Sequence, residues 1–145
     1  MAGKAKKIIS AVLILVLIAA AAGYYLWNKP HQNVSDADGI KTEATTLYKI
    51  FITDSVAAKK NFLQQVLQVK GIVNGISKNQ QSQTVVTIKT GTEVAYINCT
   101  MEGEAVNIKE GNEVMIKGIC EGIGEGDAEM GIMGDVYLVR CYQVK

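Results

Sequence analysis

From Ile8 to Trp27 the chain runs for 20 residues without a charge, and Ser10 is its only hydroxyl apart from two tyrosines. At helical rise such a run spans roughly 30 Å, the thickness of a bilayer's hydrocarbon core. Tyr24, Tyr25 and Trp27 gather at its far end, where amphipathic rings favour the membrane interface. Lys4, Lys6 and Lys7 stand before it, and Asp36 and Asp38 follow it. The positive-inside rule therefore predicts a cytoplasmic N-terminus (1–7), a transmembrane helix over residues 8–27 in an inner, cytoplasmic membrane, and a periplasmic C-terminal domain. The rival reading is a cleaved signal peptide, with Ala20-Ala21-Ala22 as the cutting site. Against cleavage, the apolar run continues through Tyr24-Tyr25-Leu26-Trp27, longer than an ordinary signal core. No cysteine lies near the run, so lipid attachment at a processed N-terminal cysteine is not expected. A lone span with no acid or base inside it is an anchor, not a transport path.

Charge supports the same division. Of 15 basic residues, Lys4, Lys6, Lys7 and Lys29 precede residue 32, whereas none of the 14 acidic residues does. Residues 32–145 therefore carry 11 basic against 14 acidic side chains. With three cysteines and one proline in 145 residues, neither a disulfide scaffold nor a disordered chain is indicated.

Residues 28–39 hold the lone proline, the lone histidine (His31) and several turn formers, and read as a linker. From Ile40 the pattern becomes helical: Ala44, Leu47, Tyr48, Ile50, Phe51 and Ile52 fall within turns of one another, with Asp38-Gly39 as a possible start. Thr53-Asp54-Ser55 offers a second cap, opening a shorter helix through Phe62. Residues 40–63 are thus expected to form a helical neck, packed on the domain behind it or offered to a partner helix.

The remainder, 64–145, divides into strands of period two. Leu67, Val69, Gly71 and Val73 alternate with Gln68, Lys70, Ile72 and Asn74, and the polar run from Ser77 to Gln83 reads as a turn. Val86 and Ile88 alternate with Val85, Thr87 and Lys89 before a Thr90-Gly91-Thr92 hairpin signal. Ala95, Ile97, Cys99 and Met101 alternate with Val94, Tyr96, Asn98 and Thr100. After a turn at Glu110-Gly111, Val114, Ile116, Gly118 and Cys120 share one side of a fourth strand. Gly118 and Gly122 have no side chain to pack, which suits a strand bent at a barrel corner. Val136 to Val144 makes the fifth. Five short strands, with a longer connection between the third and fourth, match an all-β, five-stranded Greek-key barrel whose closure removes exposed edges.

The runs Val69-Lys70-Gly71-Ile72-Val73, Ile97-Asn98-Cys99, Glu110-Gly111-Asn112-Glu113-Val114-Met115-Ile116-Lys117-Gly118-Ile119-Cys120 and Asp135-Val136-Tyr137-Leu138-Val139-Arg140-Cys141 resemble an OB-fold. More closely, the chain resembles the membrane-tethered tRNA-anti-like OB-fold proteins found mainly in Bacteroidetes, over roughly residues 40–145. That resemblance implies the fold and an envelope location. It implies no particular ligand, because members' ligands are mostly unassigned.

Chemistry-bearing residues are few. Cys99, Cys120 and Cys141 lack CxxC spacing and the single histidine sits in the linker, so no zinc site is expected. Outside the cytoplasm a disulfide is open to Cys120 and Cys141, which fall opposite each other if strands four and five turn near Met130-Gly131; the alternative is three small buried hydrophobes. The stretch from Glu121 to Asp135 places five acids among glycines without an EF-hand pattern, and reads as a solvated loop whose Ile132 and Met133 could form a contact tip. No glycine pattern for phosphate occurs, and no cofactor is expected.

Binding of nucleic acid by an OB-fold uses a basic groove with aromatics on strands two and three. Here residues 64–145 hold seven basic and ten acidic residues, and the outward positions Val85, Thr87, Lys89, Val94, Tyr96 and Asn98 include one aromatic. Nucleic acid is therefore disfavoured as a partner. A histidine-free domain also lacks Ser-His-Asp or Cys-His chemistry, so no enzyme is expected. The sequence supports a membrane-anchored binding module for a protein or a glycan, with Thr87, Lys89, Tyr96 and Asn98 as ligand contacts. The alternative is an accessory structural subunit of an envelope complex, touching partners through its transmembrane and neck helices.

Overall fold

The computed structural model describes residues 2–28, 33–127 and 129–145. His31, placed by the sequence in the linker, lies outside the described residues. The chain forms two separate compact units, one before Val34 and one from Val34 to Lys145.

The first unit is a single helix, α1 (Ala2–Trp27). Within it Ile8–Trp27 has a mean hydropathy of 2.4 and is apolar on every side, with none of that span buried against protein. A helix without a polar face has no way to sit half in a protein core and half in water. Its length and composition fit a membrane span and equally the apolar part of a signal sequence.

The second unit is built from β1 (Ile40–Glu43), α2 (Ala44–Thr53), α3 (Ser55–Phe62), β2 (Val66–Lys78), β3 (Thr84–Lys89), β4 (Tyr96–Met101), β5 (Glu113–Ile123) and β6 (Val136–Gln143). Neighbouring strands run in the order β2-β3-β4-β6-β5, and β5 returns to β2, closing a five-stranded barrel. All of its pairings are antiparallel except β4 with β6. The 13-residue β2 serves two edges: Val66–Ile72 pairs with β5 and Val73–Lys78 with β3, across an irregularity between Val73 and Gly75. The alternation read from sequence reappears as burial. Val114, Ile116, Gly118 and Cys120 point inward on β5, as do Val86 and Ile88 on β3 and Ile97 and Cys99 on β4.

α2 closes one end of this barrel. Ala44, Leu47, Tyr48 and Phe51, spaced three and four apart, are buried in the same core as Leu67, Val69, Ile88 and Leu138. α3 follows after a cap in which the Asp54 carboxylate accepts the Ala57 N–H at 3.0 Å. It returns Phe62 to Phe51, with ring centroids 6.3 Å apart and planes tilted by 44°. The neck's apolar stripe is thus spent on the barrel itself.

Two local expectations need correction. Ile40–Glu43, expected as the start of the neck helix, is a strand lying parallel to β2, with Ile40 opposite Leu67 and Glu43 opposite Lys70. Helical periodicity from Ala44 onward carries no information about the four residues before it, and β2 offers them an edge to pair with. The polar turn is also shorter than expected, because β2 runs on to Lys78. Just upstream, the Lys117 ammonium donates to the carbonyls of Ser35 (3.1 Å) and Ala37 (2.8 Å) while Val34 is buried, so the end of the linker is bound to the domain.

Candidate functional site

Outward positions of β3 and β4 meet the start of β6 in one hydrogen-bonded row. Thr87 Oγ1 donates to Asn98 Oδ1 at 3.2 Å, its register partner across the strands. Asn98 Nδ2 donates to Asp135 Oδ2 at 2.8 Å, and the Tyr96 N–H donates to Asp135 Oδ1 at 2.9 Å. The Tyr96 hydroxyl donates to the Glu93 carbonyl at 2.9 Å, which pins the ring along the strand. Thr87, Tyr96, Asn98 and Asp135 are all half-buried, so their remaining lone pairs border solvent without being fully hydrated.

Three of the four residues expected as ligand contacts are therefore brought together. Lys89 pairs with Tyr96 in register but is exposed, and it borders a separate cleft of about 340 Å³ with Glu43, Thr45, Lys70 and Glu113. In that cleft Lys70 and Glu113 form an exposed ion pair at 3.1 Å, of a kind that contributes little to stability.

Two residues of the face escaped the sequence reading. The sequence places Asp135 at the end of the acidic loop, yet its carboxylate organises the row from 39 positions beyond Tyr96. Tyr137, 43% exposed, stands beside Asn98 because β6 runs parallel to β4, giving the face a second aromatic ring. The available signal was the strand start itself: Asp135 and Tyr137 flank the inward Val136, and alternation places both outward. Asp135→Ala leaves the Tyr96 N–H and the Asn98 amide without their charged acceptor. It is expected to lower stability by about 1–3 kcal/mol and to speed hydrogen exchange at the Tyr96 amide roughly tenfold or more.

The loop between β5 and β6 is more ordered than a solvated acidic run. Asp127 Oδ1 accepts the N–H groups of Glu129 (3.0 Å) and Met130 (3.1 Å), and Ile132 N–H returns to the Asp127 carbonyl at 2.8 Å. Among the described residues no group of three His, Cys, Asp or Glu side chains is placed to hold a metal.

Of the two alternatives open to the cysteines, the Cys120–Cys141 bridge is not formed. All three cysteines are free and buried. Cys120 stands opposite Leu138, and Cys141 pairs instead with Met101 on β4. The hairpin register sets this: Ile123 pairs with Val136 and Ile116 with Gln143, two residues away from placing Cys120 opposite Cys141. The extra residue at Arg140 (φ 52°) on β6 is offset by one on β5 between Cys120 and Gly122. Cys141 is held far above the ordinary thiol range by its hydrogen bond with the Cys99 thiol and by burial, and burial raises Cys120 as well. Thiols so placed stay protonated and inert. A thiol reagent is expected to label none of the three in native protein and all three after denaturation without reductant, whereas one reactive thiol in the denatured chain would restore the bridge.

A closed barrel with the strand order β2-β3-β4-β6-β5 defines an OB-type fold. The chain belongs to the tRNA_anti-like family, whose profile matches residues 1–129. It is also similar to a solved structure from Klebsiella pneumoniae subsp. pneumoniae, described as that of a proposed nucleic acid-binding lipoprotein. The two share 14% identity with a TM-score of 0.51, over 81% of this chain and 100% of the other. At that identity the likeness extends to the fold. No curated protein matches the chain.

Proposed function

We propose that this chain is a non-enzymatic, membrane-tethered binding module, anchored by Ile8–Trp27 in the inner membrane with its barrel in the periplasm. The ligand is a protein segment or a glycan, met on the face of Thr87, Tyr96, Asn98, Asp135 and Tyr137. The observation that carries this reading is the row from Thr87 through Asn98 to Asp135, which fixes donors and acceptors across three strands before any ligand arrives. Amide, hydroxyl and carboxylate groups beside two tyrosines suit sugar hydroxyls or peptide groups.

The Klebsiella protein's description raises nucleic acid as the rival ligand. Charge argues against it: seven basic against ten acidic residues in 64–145, and a carboxylate at the centre of the face, would oppose a phosphate backbone. Full-length protein in nanodiscs, applied to a glycan array and to single-stranded RNA and DNA at low salt, separates the two. Sugar or peptide capture that falls at least tenfold in Thr87→Ala/Asn98→Ala supports the proposal. Micromolar nucleic-acid binding that weakens steeply with salt would replace it. The accessory-subunit reading rests on Ile52 and Val56, apolar and exposed on α2 and α3. Stoichiometric membrane partners lost in Val56→Asp would favour that reading instead.

A further inference from the structure

We propose that the cleft between α2 and the β5–β6 loop is a second binding site, for a small, uncharged, largely apolar molecule that presents one hydrogen-bond acceptor to Tyr48. The cleft has a volume of about 430 Å³, within the range of about 300–1,000 Å³ usual for ligand pockets. Tyr48, Ile52, Ile123, Ile132 and Met133 supply its walls. Tyr48 is 1% exposed, yet its hydroxyl has no hydrogen-bond partner. Among the described residues it is the one buried side-chain polar atom left unpaired. Buried hydroxyls are almost always paired, because an orphan forfeits its water without return.

Asp135 does not take up this donor. Asp135 lies close enough to be felt by Tyr48, but its two oxygens are engaged by the Tyr96 N–H and the Asn98 amide. Burial, and then the charge of Asp135, push the Tyr48 phenol above its ordinary value, so it stays protonated and able to donate. The same charge disfavours an anion, and no lysine or arginine lines the cleft to offset it. The walls call for an apolar body: Ile132 is 51% exposed and Ile52 and Met133 are also open to solvent, a surface that an occupant would cover. Ligand chemistry therefore reduces to one carbonyl-like or ether-like oxygen on a hydrocarbon or aromatic frame. This site shares no direct contact residue with the polar face, so either can stand without the other.

The test uses full-length protein in nanodiscs, with methyl-labelled isoleucine and methionine observed by NMR. The probes are 4-methylcyclohexanone and 1-methyl-4-methylenecyclohexane, alike in shape and differing in the acceptor oxygen; empty nanodiscs correct for partitioning. Saturable shifts at Ile132 and Met133 are expected, with the ketone binding more tightly. Tyr48→Phe is expected to weaken the ketone by about twofold to tenfold, the worth of one hydrogen bond, and to leave the olefin unchanged. Without any probe, Tyr48→Phe is expected to raise Tm by a few degrees, roughly what removing one orphan hydroxyl yields. Met133→Glu is expected to abolish both probes without lowering Tm. The proposal is overturned if neither probe gives saturable shifts, if Tyr48→Phe weakens both equally, or if the methyl signals follow protein concentration instead of probe, which would assign the cleft to a second copy.

Discussion

Phe51→Ala is expected to lower the unfolding free energy of the barrel domain by about 3–5 kcal/mol, the range for truncating a buried phenylalanine. Domains of this size are stable by roughly 5–15 kcal/mol in all, so the variant stands near its threshold. Phe51 is 1% exposed and lies at the far end of the α2 stripe, where it meets Phe62 from α3. Its ring joins both helices to the barrel core, and alanine leaves a cavity that the closed strands cannot fill by moving inward. The control is the next residue, Ile52, which is exposed on the same helix. Ile52→Ala is expected to change stability by less than about 0.5 kcal/mol. Urea unfolding of both variants, followed by circular dichroism, checks the contrast. Equal midpoints would show that α2 is not part of the core and that the helices are a detachable neck.

How far such contacts were legible beforehand depends on their reach along the chain. The inward side of β5, the α2 stripe and the Asp54 cap are written in residues one to four positions apart, and each appears in the structure where the spacing put it. The anchor candidate was legible for the same reason. Asp135 was not: its value depends on β6 lying parallel to β4, a neighbour relation between segments almost forty residues apart. β1 was hidden because four residues pair only where another strand leaves an edge for them. Which cysteines would face each other was hidden in the register of the β5–β6 hairpin. Ile123 opposite Val136 fixes a register in which Cys120 cannot face Cys141, and no residue of the connecting loop marks that register in advance. Tyr48 shows the limit from the other side, since its place on the buried stripe was plain and its unpaired hydroxyl was not.

The place of Cys141 in the barrel also sets up a severe substitution on β5. Gly118 sits on β5 opposite Leu67, facing the interior. A Cβ there would lie 2.5 Å from Cys141 Sγ, 3.2 Å from the Val139 carbonyl oxygen and 3.4 Å from Leu138 Cβ. The sulfur of Cys141 therefore occupies the space that Gly118 leaves empty. It has little freedom to retreat, being fully buried, and the carbonyl belongs to the strand backbone. Gly118→Ala is expected to cost about 3 kcal/mol, the upper end of ordinary overpacking. Gly118→Val, with two more carbons in the same space, is expected to show no cooperative unfolding transition at all. Because the tightest obstacle is one atom, its removal is diagnostic. Cys141→Ala deletes the sulfur and opens a void beside residue 118 that the new methyl can fill. The double variant Gly118→Ala/Cys141→Ala is therefore expected to be more stable than the sum of its parts by about 1 kcal/mol or more. Strict additivity in that cycle would mean that the sulfur does not fill the gap, and that the bend of β5 alone is what requires glycine.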